Sequence, residues 1–193
     1  MQSLFKEFED ILPLTEEESE IIESKITFSR VKRKGFLLKE GSVCRHYTFV
    51  KKGCFKMYGI DDKGFSHNIQ FAAEGDWIAD LGSFYTQTAS KLYIEALEES
   101  EIYQIDQPDL YELFIEVHKV NRMFKVISEK NFVEIQNRVL QNFSSTAEQR
   151  YLSFQQQYPH LSNRLKNTQI ASYLGITPEF LSKIRKGLSK KRI

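Results

Sequence analysis

The chain has 193 residues, 41% of them hydrophobic, a formal net charge of +1 and two cysteines, the composition of an ordinary globular protein of one large or two small domains. Disordered and fibrous classes drop out, and neither a long apolar run nor a basic-then-apolar leader appears in the opening "MQSLFKEFEDILPLTEEESE", so a cytoplasmic protein that stays out of the membrane is expected. The net charge hides an asymmetry: from Ala147 onward nine basic residues meet two acidic ones, a net +7, whereas residues 1–146 hold 18 basic and 24 acidic, a net −6. The C-terminal end is suited to a polyanion and the rest is not.

In chain order, residues 4–25 read as helical, with Leu4, Phe8, Ile11 and Leu12 at helical spacing, a break at Pro13 and Thr15 as N-cap of "EEESEIIESK". From Ile26 to Ile105 the texture changes to short stretches rich in Phe, Tyr, Val and Ile, such as "YTFVKKG", "CFKMYGI", "HNIQFAA" and "IYQI", punctuated by glycines. This pattern predicts a β-sandwich or β-roll, with "DDKG" at 61–64 as a hairpin loop. Cys44 and Cys54 fall in this part; two cysteines are too few for a structural zinc or iron–sulfur site, and reduced thiols are expected.

Pro108 opens a helical region in which Val117, Val120, Phe124, Ile127, Ile135 and Val139 keep a three-to-four spacing. A helix this long either packs on the roll or pairs with a second copy, and Asn131 within the series is either a register-fixing polar residue or a solvated one. The helix is expected to end near Asn142, with Ser145 and Glu148 forming the capping box of the next one. The domains are therefore drawn as 1–116 for the roll with its N-terminal helices, 117–143 for the long helix and 144–193 for a C-terminal helical domain.

Within that last domain, "NTQIASYLGITPEFLSKIRK" places Ile170, Ala171 and Leu174 on one face of a first helix, Gly175 at its end, and Thr177 and Pro178 at the N-cap and first position of a second. Leu181, Ile184 and Leu188 face inward on the second helix, leaving a polar, basic outer face. Two helices meeting at a tight glycine turn with the second exposed and basic match the helix-turn-helix that reads the DNA major groove; the alternative is a plain helical hairpin with solvated lysines. By chemistry, Lys183 and Arg185 can donate to guanine, Glu179 can accept from cytosine, and Phe180 can touch a thymine methyl or join the core. Gln169, Thr177 and Ser182 are further candidate contacts, and Lys186, Lys190, Lys191 and Arg192 are expected to neutralise phosphates.

The order of a glycine-punctuated roll, a long helix and a helix-turn-helix resembles the Crp/Fnr family, that of the cyclic AMP receptor protein and the FNR regulators. The resemblance is carried by "RKGFLLKEGSVCRHYTFVKKGCFKMY" (33–58), "EGDWIADLGSF" (74–84), "IEALEESEIYQI" (94–105) and "IASYLGITPEFLSKIRK" (170–186). It implies an α+β chain with a cyclic-nucleotide-binding-like β-roll (a double-stranded β-helix), a dimerisation helix and a helix-turn-helix domain. It implies a homodimeric transcription regulator whose partners are double-stranded DNA, its own second copy and RNA polymerase.

In cyclic-nucleotide binders of this family a cassette offers a Gly-Glu pair and then an Arg-Ser or Arg-Thr pair. Ungapped alignment sets the effector-pocket positions at Ala79, Asp80, Leu81, Gly82, Ser90 and Lys91, with Ala79 for the glycine, Asp80 for the glutamate and Ser90 for the arginine. The bidentate guanidinium is lost, and Lys91 supplies a point charge only if it faces inward. Cyclic AMP bound in the usual way is therefore not expected; an unidentified small-molecule effector and a roll without a ligand both stay open. Phe71, Trp77, Phe84 and Tyr93 either line an apolar pocket or fill the core. The cysteines are too few for FNR-type sensing, and His46, His67, His118 and His160 are scattered. No hydrolase, P-loop or zincin motif appears, so an enzyme is not expected; the alternative function is a regulatory module acting on a protein partner.

Overall fold

The computed structural model describes residues 2–9 and 11–191. They form an α+β chain with the elements α1 (Gln2–Glu9), α2 (Glu16–Lys25), β1 (Thr27–Val31), β2 (Phe36–Leu38), β3 (His46–Lys52), β4 (Phe55–Ile60), β5 (Ser66–Ala72), β6 (Trp77–Ile78), α3 (Leu81–Thr86), β7 (Leu92–Ala96), β8 (Ser100–Asp106), α4 (Gln107–Glu116), α5 (His118–Ser144), α6 (Ala147–Gln157), α7 (Asn167–Leu174) and α8 (Pro178–Lys191). Two compact units divide it, residues 1–59 with 70–129 and residues 60–69 with 130–193.

The first unit is the β-roll that the short strands predict. Its strands pair in two four-stranded sheets, in the orders β1-β8-β3-β6 and β2-β7-β4-β5. Alternation sets the layers: Phe55, Met57, Ile94 and Ala96 point into the core, while Tyr58 and Tyr93 stack on the outer face of the second sheet with centroids 5.1 Å apart. Turn glycines act where the backbone demands them. At Gly53, φ is +110° and a Cβ would lie 2.1 Å from Ser100 Oγ, so a side chain there must displace the neighbouring strand.

The N-terminal helices are part of this core. Thr15 and Glu18 make the capping box of α2, and Leu4 and Phe8 of α1 are fully buried. Phe8 stacks on Trp77 at 6.1 Å and meets Phe124 at 6.2 Å, and Tyr47 lies 5.2 Å from Trp77 and 5.9 Å from Phe84. This aromatic cluster packs α1 and α5 against β3 and β6. At the surface, Lys25 bridges Asp109 and Glu112, and Lys119 meets Glu18 at 2.7 Å, tying α2 to α4 and α5.

Helix α5 differs from the single apolar series that the spacing predicts. Val120, Met123, Phe124 and Ile127 are buried in the first unit, whereas Ile135 and Val139 are exposed. The eight residues from Ile127 to Ile135 leave a phase offset of roughly 80° at 3.6 residues per turn, so the series crosses from one face to another. The second face, formed by Phe132, Ile135, Val139 and Phe143, is open to solvent. Asn131, half-buried, stands at the changeover. The helix also runs past Asn142 to Ser144, and the capping box that follows is Thr146 with Gln149 rather than Ser145 with Glu148. Both frames satisfy the capping pattern, and the two further residues of α5 go with the later one.

Truncating Phe8 should show how much the roll relies on α1: Phe8→Ala is expected to lower unfolding free energy by about 3–5 kcal/mol, measured by urea denaturation. A loss below about 1 kcal/mol, the scale of an exposed site, would contradict this packing.

Candidate nucleic-acid interface and effector cassette

In the second unit the helix-turn-helix is built as its residues dictate. Ile170, Ala171 and Leu174 of α7 and Leu181 and Ile184 of α8 are buried with Tyr151, Phe154, Leu161 and Leu165. Gly175 takes φ +66°, and the N–H of Ile176 returns to the Ala171 carbonyl at 3.0 Å, closing α7 with the left-handed turn that glycine permits. Thr177 then caps α8, its hydroxyl accepting from the Phe180 N–H at 3.2 Å. The turn and both caps are where the sequence puts them.

The outer face of α8 carries Glu179, Ser182, Lys183, Lys186 and Lys190, all exposed, at positions that recur on one side of a helix. Ser182 returns its hydroxyl to the Pro178 carbonyl at 2.9 Å. Phe180 is 47% exposed on the flank of this face, which leaves the core role unfilled. Arg185 is placed differently from the other basic residues: half-buried, it donates to Asn167 Oδ1 at the start of α7 and lies 5.8 Å from the Tyr151 ring centroid. Its spacing carries the reason, because four residues after Leu181 and one after Ile184 is the inner flank of the helix. Gln169 is also occupied, its side chain accepting from the Lys166 N–H at 2.9 Å. The side chain of Lys191 and all of Arg192 lie outside the described residues.

The cassette in the roll is closed on itself. Asp80 caps α3, with Oδ1 accepting from the Ser83 N–H at 3.3 Å, and its Oδ2 accepts the Ser90 hydroxyl at 2.6 Å. Ser90 Oγ in turn accepts from the Leu92 N–H at 2.9 Å, and Ser83 Oγ donates to the Thr88 carbonyl at 2.6 Å while accepting from the Cys44 N–H at 2.9 Å. Ala79, Ser83 and Ser90 are buried, Leu81 is half-buried, and Gly82 and Lys91 are exposed. In the segment that leads into β7, Ser90 is thus turned inward and Lys91 to solvent. Of the four aromatics, Phe71, Trp77 and Phe84 are buried, and Tyr93 stands on the outer sheet face, donating to Glu40 Oε2 at 3.1 Å.

Both cysteines are free and buried. Burial pushes the Cys44 thiol up, which keeps it protonated and unreactive. Among the described residues, no group of three or more His, Cys, Asp or Glu side chains could hold a metal ion, and no helix is long and apolar enough to cross a membrane.

Residues 28–116 match the family model of the cyclic nucleotide-binding domain. No curated protein matches the chain in sequence. FixK2 from Bradyrhizobium japonicum has a TM-score of 0.74 and 17% identity, over 87% of this chain and 86% of its own. The c-di-GMP responsive global regulator CLP from Xanthomonas campestris has a TM-score of 0.73 and 12% identity, over 92% of this chain and 93% of its own. A protein of the Crp/Fnr family from Eubacterium rectale has a TM-score of 0.70 and 15% identity, over 92% and 85%. The chain therefore has the Crp/Fnr fold over most of its length, as its motifs lead one to expect, with the cyclic-nucleotide-binding type of roll at its centre.

The two cations of α8 should separate by stability. Arg185→Ala is expected to cost about 1–2 kcal/mol through the lost hydrogen bond and ring contact, and Lys183→Ala to stay within about 0.5 kcal/mol of the parent, both by urea unfolding. Equal effects would show that Arg185 is as free as Lys183.

Proposed function

We propose that the chain is a dimeric, sequence-specific DNA-binding transcription regulator whose roll does not take cyclic AMP in the usual way. The observation that carries the reading is the exposed face of α8, with Lys183, Lys186 and Lys190 projecting from a helix whose other side is buried. A helix anchored behind and basic in front is what the major groove receives. Glu179 and Lys183, in the N-terminal half of α8, are assigned to base edges, Ser182 and Phe180 flank them, and Lys186 and Lys190 are assigned to phosphates. Thr177 acts as the cap. Arg185 holds α8 on α7 instead of reading guanine.

Dimerisation is assigned to the second half of α5. Phe132 is 61% exposed, Ile135 59%, Val139 50% and Phe143 87%, a stripe about three turns long that a second copy would cover with its own. Two recognition helices related by a two-fold axis would then meet successive major grooves about 34 Å apart on a near-palindromic site. RNA polymerase is the further partner such a regulator would need to act on a promoter.

For the roll, the support is the Asp80 to Ser90 hydrogen bond. The carboxylate that would take a ribose hydroxyl already has a hydroxyl partner, and no guanidinium stands at the phosphate position. The competing reading, a module that docks on a protein, predicts a weak response to ionic strength.

Affinity for duplex DNA, followed by fluorescence anisotropy from 50 to 200 mM salt, is expected to fall by roughly 10³-fold or more if about six phosphates are contacted. Lys190→Ala should reduce the salt slope by about one, whereas Lys183→Ala should flatten discrimination among single-base variants of a bound duplex. A salt-independent affinity would favour the protein-docking module.

Val139→Asp should convert a dimer to a monomer in sedimentation without loss of helical circular dichroism. A parent protein that sediments as a monomer with and without DNA would rule out the stripe as an interface.

A further inference from the structure

The second unit contains a member that comes from outside the C-terminal region, the tip of the hairpin between β4 and β5. Its turn is self-contained: Asp61 Oδ1 accepts from the N–H groups of Lys63 and Phe65 at 2.9 Å each, and Asp61 Oδ2 meets His67 Nε2 at 2.8 Å. The segment that follows is bound to α7. Asn68, 4% exposed, donates its backbone N–H to Ser172 Oγ at 3.0 Å and its Nδ2 to the Gln169 carbonyl at 3.0 Å. Ser172 Oγ donates to the Ser66 carbonyl at 2.8 Å. These bonds join residues that lie more than a hundred positions apart in the chain.

Arg138 of α5 locks the arrangement. Its Nη2 donates to the carbonyls of Asn68 and Tyr173, at 3.0 Å each, and its Nη1 donates to the Ile69 carbonyl. The guanidinium lies 4.0 Å from the Tyr173 ring centroid. Tyr173 is in the last turn of α7, where carbonyls lack intrahelical partners, so one planar fork satisfies the end of the first helix of the helix-turn-helix and the edge of the hairpin together. On α5 it stands on the flank of the exposed apolar stripe, about 60° around the helix from Ile135 and about 100° or more from Phe132, Val139 and Phe143, with its fork turned to α7 and the hairpin. The proposed base and phosphate contacts do not use it.

We propose that Arg138, acting through Tyr173 and the hairpin tip, is a positioning residue: it fixes the angle between the apolar stripe of α5 and the recognition helix α8, and so sets the half-site spacing that the dimer accepts. The inference rests on the dimeric DNA-binding reading. In a dimer held at the α5 stripes, the separation and rotation of the two α8 helices depend on how rigidly each helix-turn-helix is joined to its own α5. Gly175 and the buried face couple α8 to α7, and Arg138 couples α7 to α5. Without that fork the helix-turn-helix keeps its internal packing and its base-reading face but gains freedom about the end of α5. Rigid attachment favours one spacing and leaves the others strained; loose attachment makes them more nearly equal.

The test compares the parent with Arg138→Gln, and with the milder Ser172→Ala, on an inverted repeat selected from random duplexes. Each variant is also titrated on copies with one or two base pairs inserted at the centre and on a single half-site. Each inserted pair rotates the half-sites by about 34°. The parent is expected to lose about 10-fold or more per inserted pair, on the scale of a mismatched contact. Both variants are expected to bind the lengthened sites within about 3-fold of their affinity for the selected one, with half-site affinity at the parent's level. If the variants keep the parent's spacing ratio, whether or not all affinities fall together, Arg138 is only a stabilising contact and the inference is overturned while the DNA-binding reading stands. A parent that selects no inverted repeat overturns both.

Discussion

The helical phase of α5 is the constraint from which the other features follow. A 27-residue helix presents side chains at fixed angles, and this one uses them for three different purposes. Its first half turns Val120, Met123, Phe124 and Ile127 inward and completes the roll's core. Its second half turns Phe132, Ile135, Val139 and Phe143 outward, and the flank carrying Arg138 grips the end of α7. Within either half, moving the phase by one residue would bury charge and expose apolar side chains.

The roll shows how a binding fold can spend its polar groups on itself. Asp80 caps α3 and takes the Ser90 hydroxyl. Ser83, also buried, is likewise satisfied on both sides by Cys44 and Thr88. The rings of Phe8, Tyr47, Trp77, Phe84 and Phe124 belong to the hydrophobic core of the same unit. A ligand that needed the carboxylate would have to replace a partly buried hydrogen bond that already exists, an exchange that gains little unless the ligand brings further partners.

Much of this was legible in the sequence because it is local. Glycines spaced between short aromatic-rich stretches marked the strands, and Gly175, Thr177 and Pro178 marked the turn between α7 and α8 within a single stretch. That residues 79–91 contain no arginine is readable directly. What escaped depends on three-dimensional neighbours. A three-to-four spacing looks continuous across Ile127 and Ile135 even as it walks to another face. By residue type Arg185 is a candidate base reader, while its position relative to Leu181 and Ile184 puts it at the inner flank, against Asn167 and Tyr151. Nothing near Asn68 signals that its partners are Ser172 and Gln169, since those contacts close across the whole fold.

The most direct measurement is selection of bound duplexes from a random pool at moderate salt, without any nucleotide and again with cyclic AMP. The same inverted repeat, with half-sites about one helical turn apart, is expected to be enriched in both conditions. Enrichment only with cyclic AMP would contradict the self-closed cassette, and no enrichment in either condition would contradict the assignment of α8 to DNA.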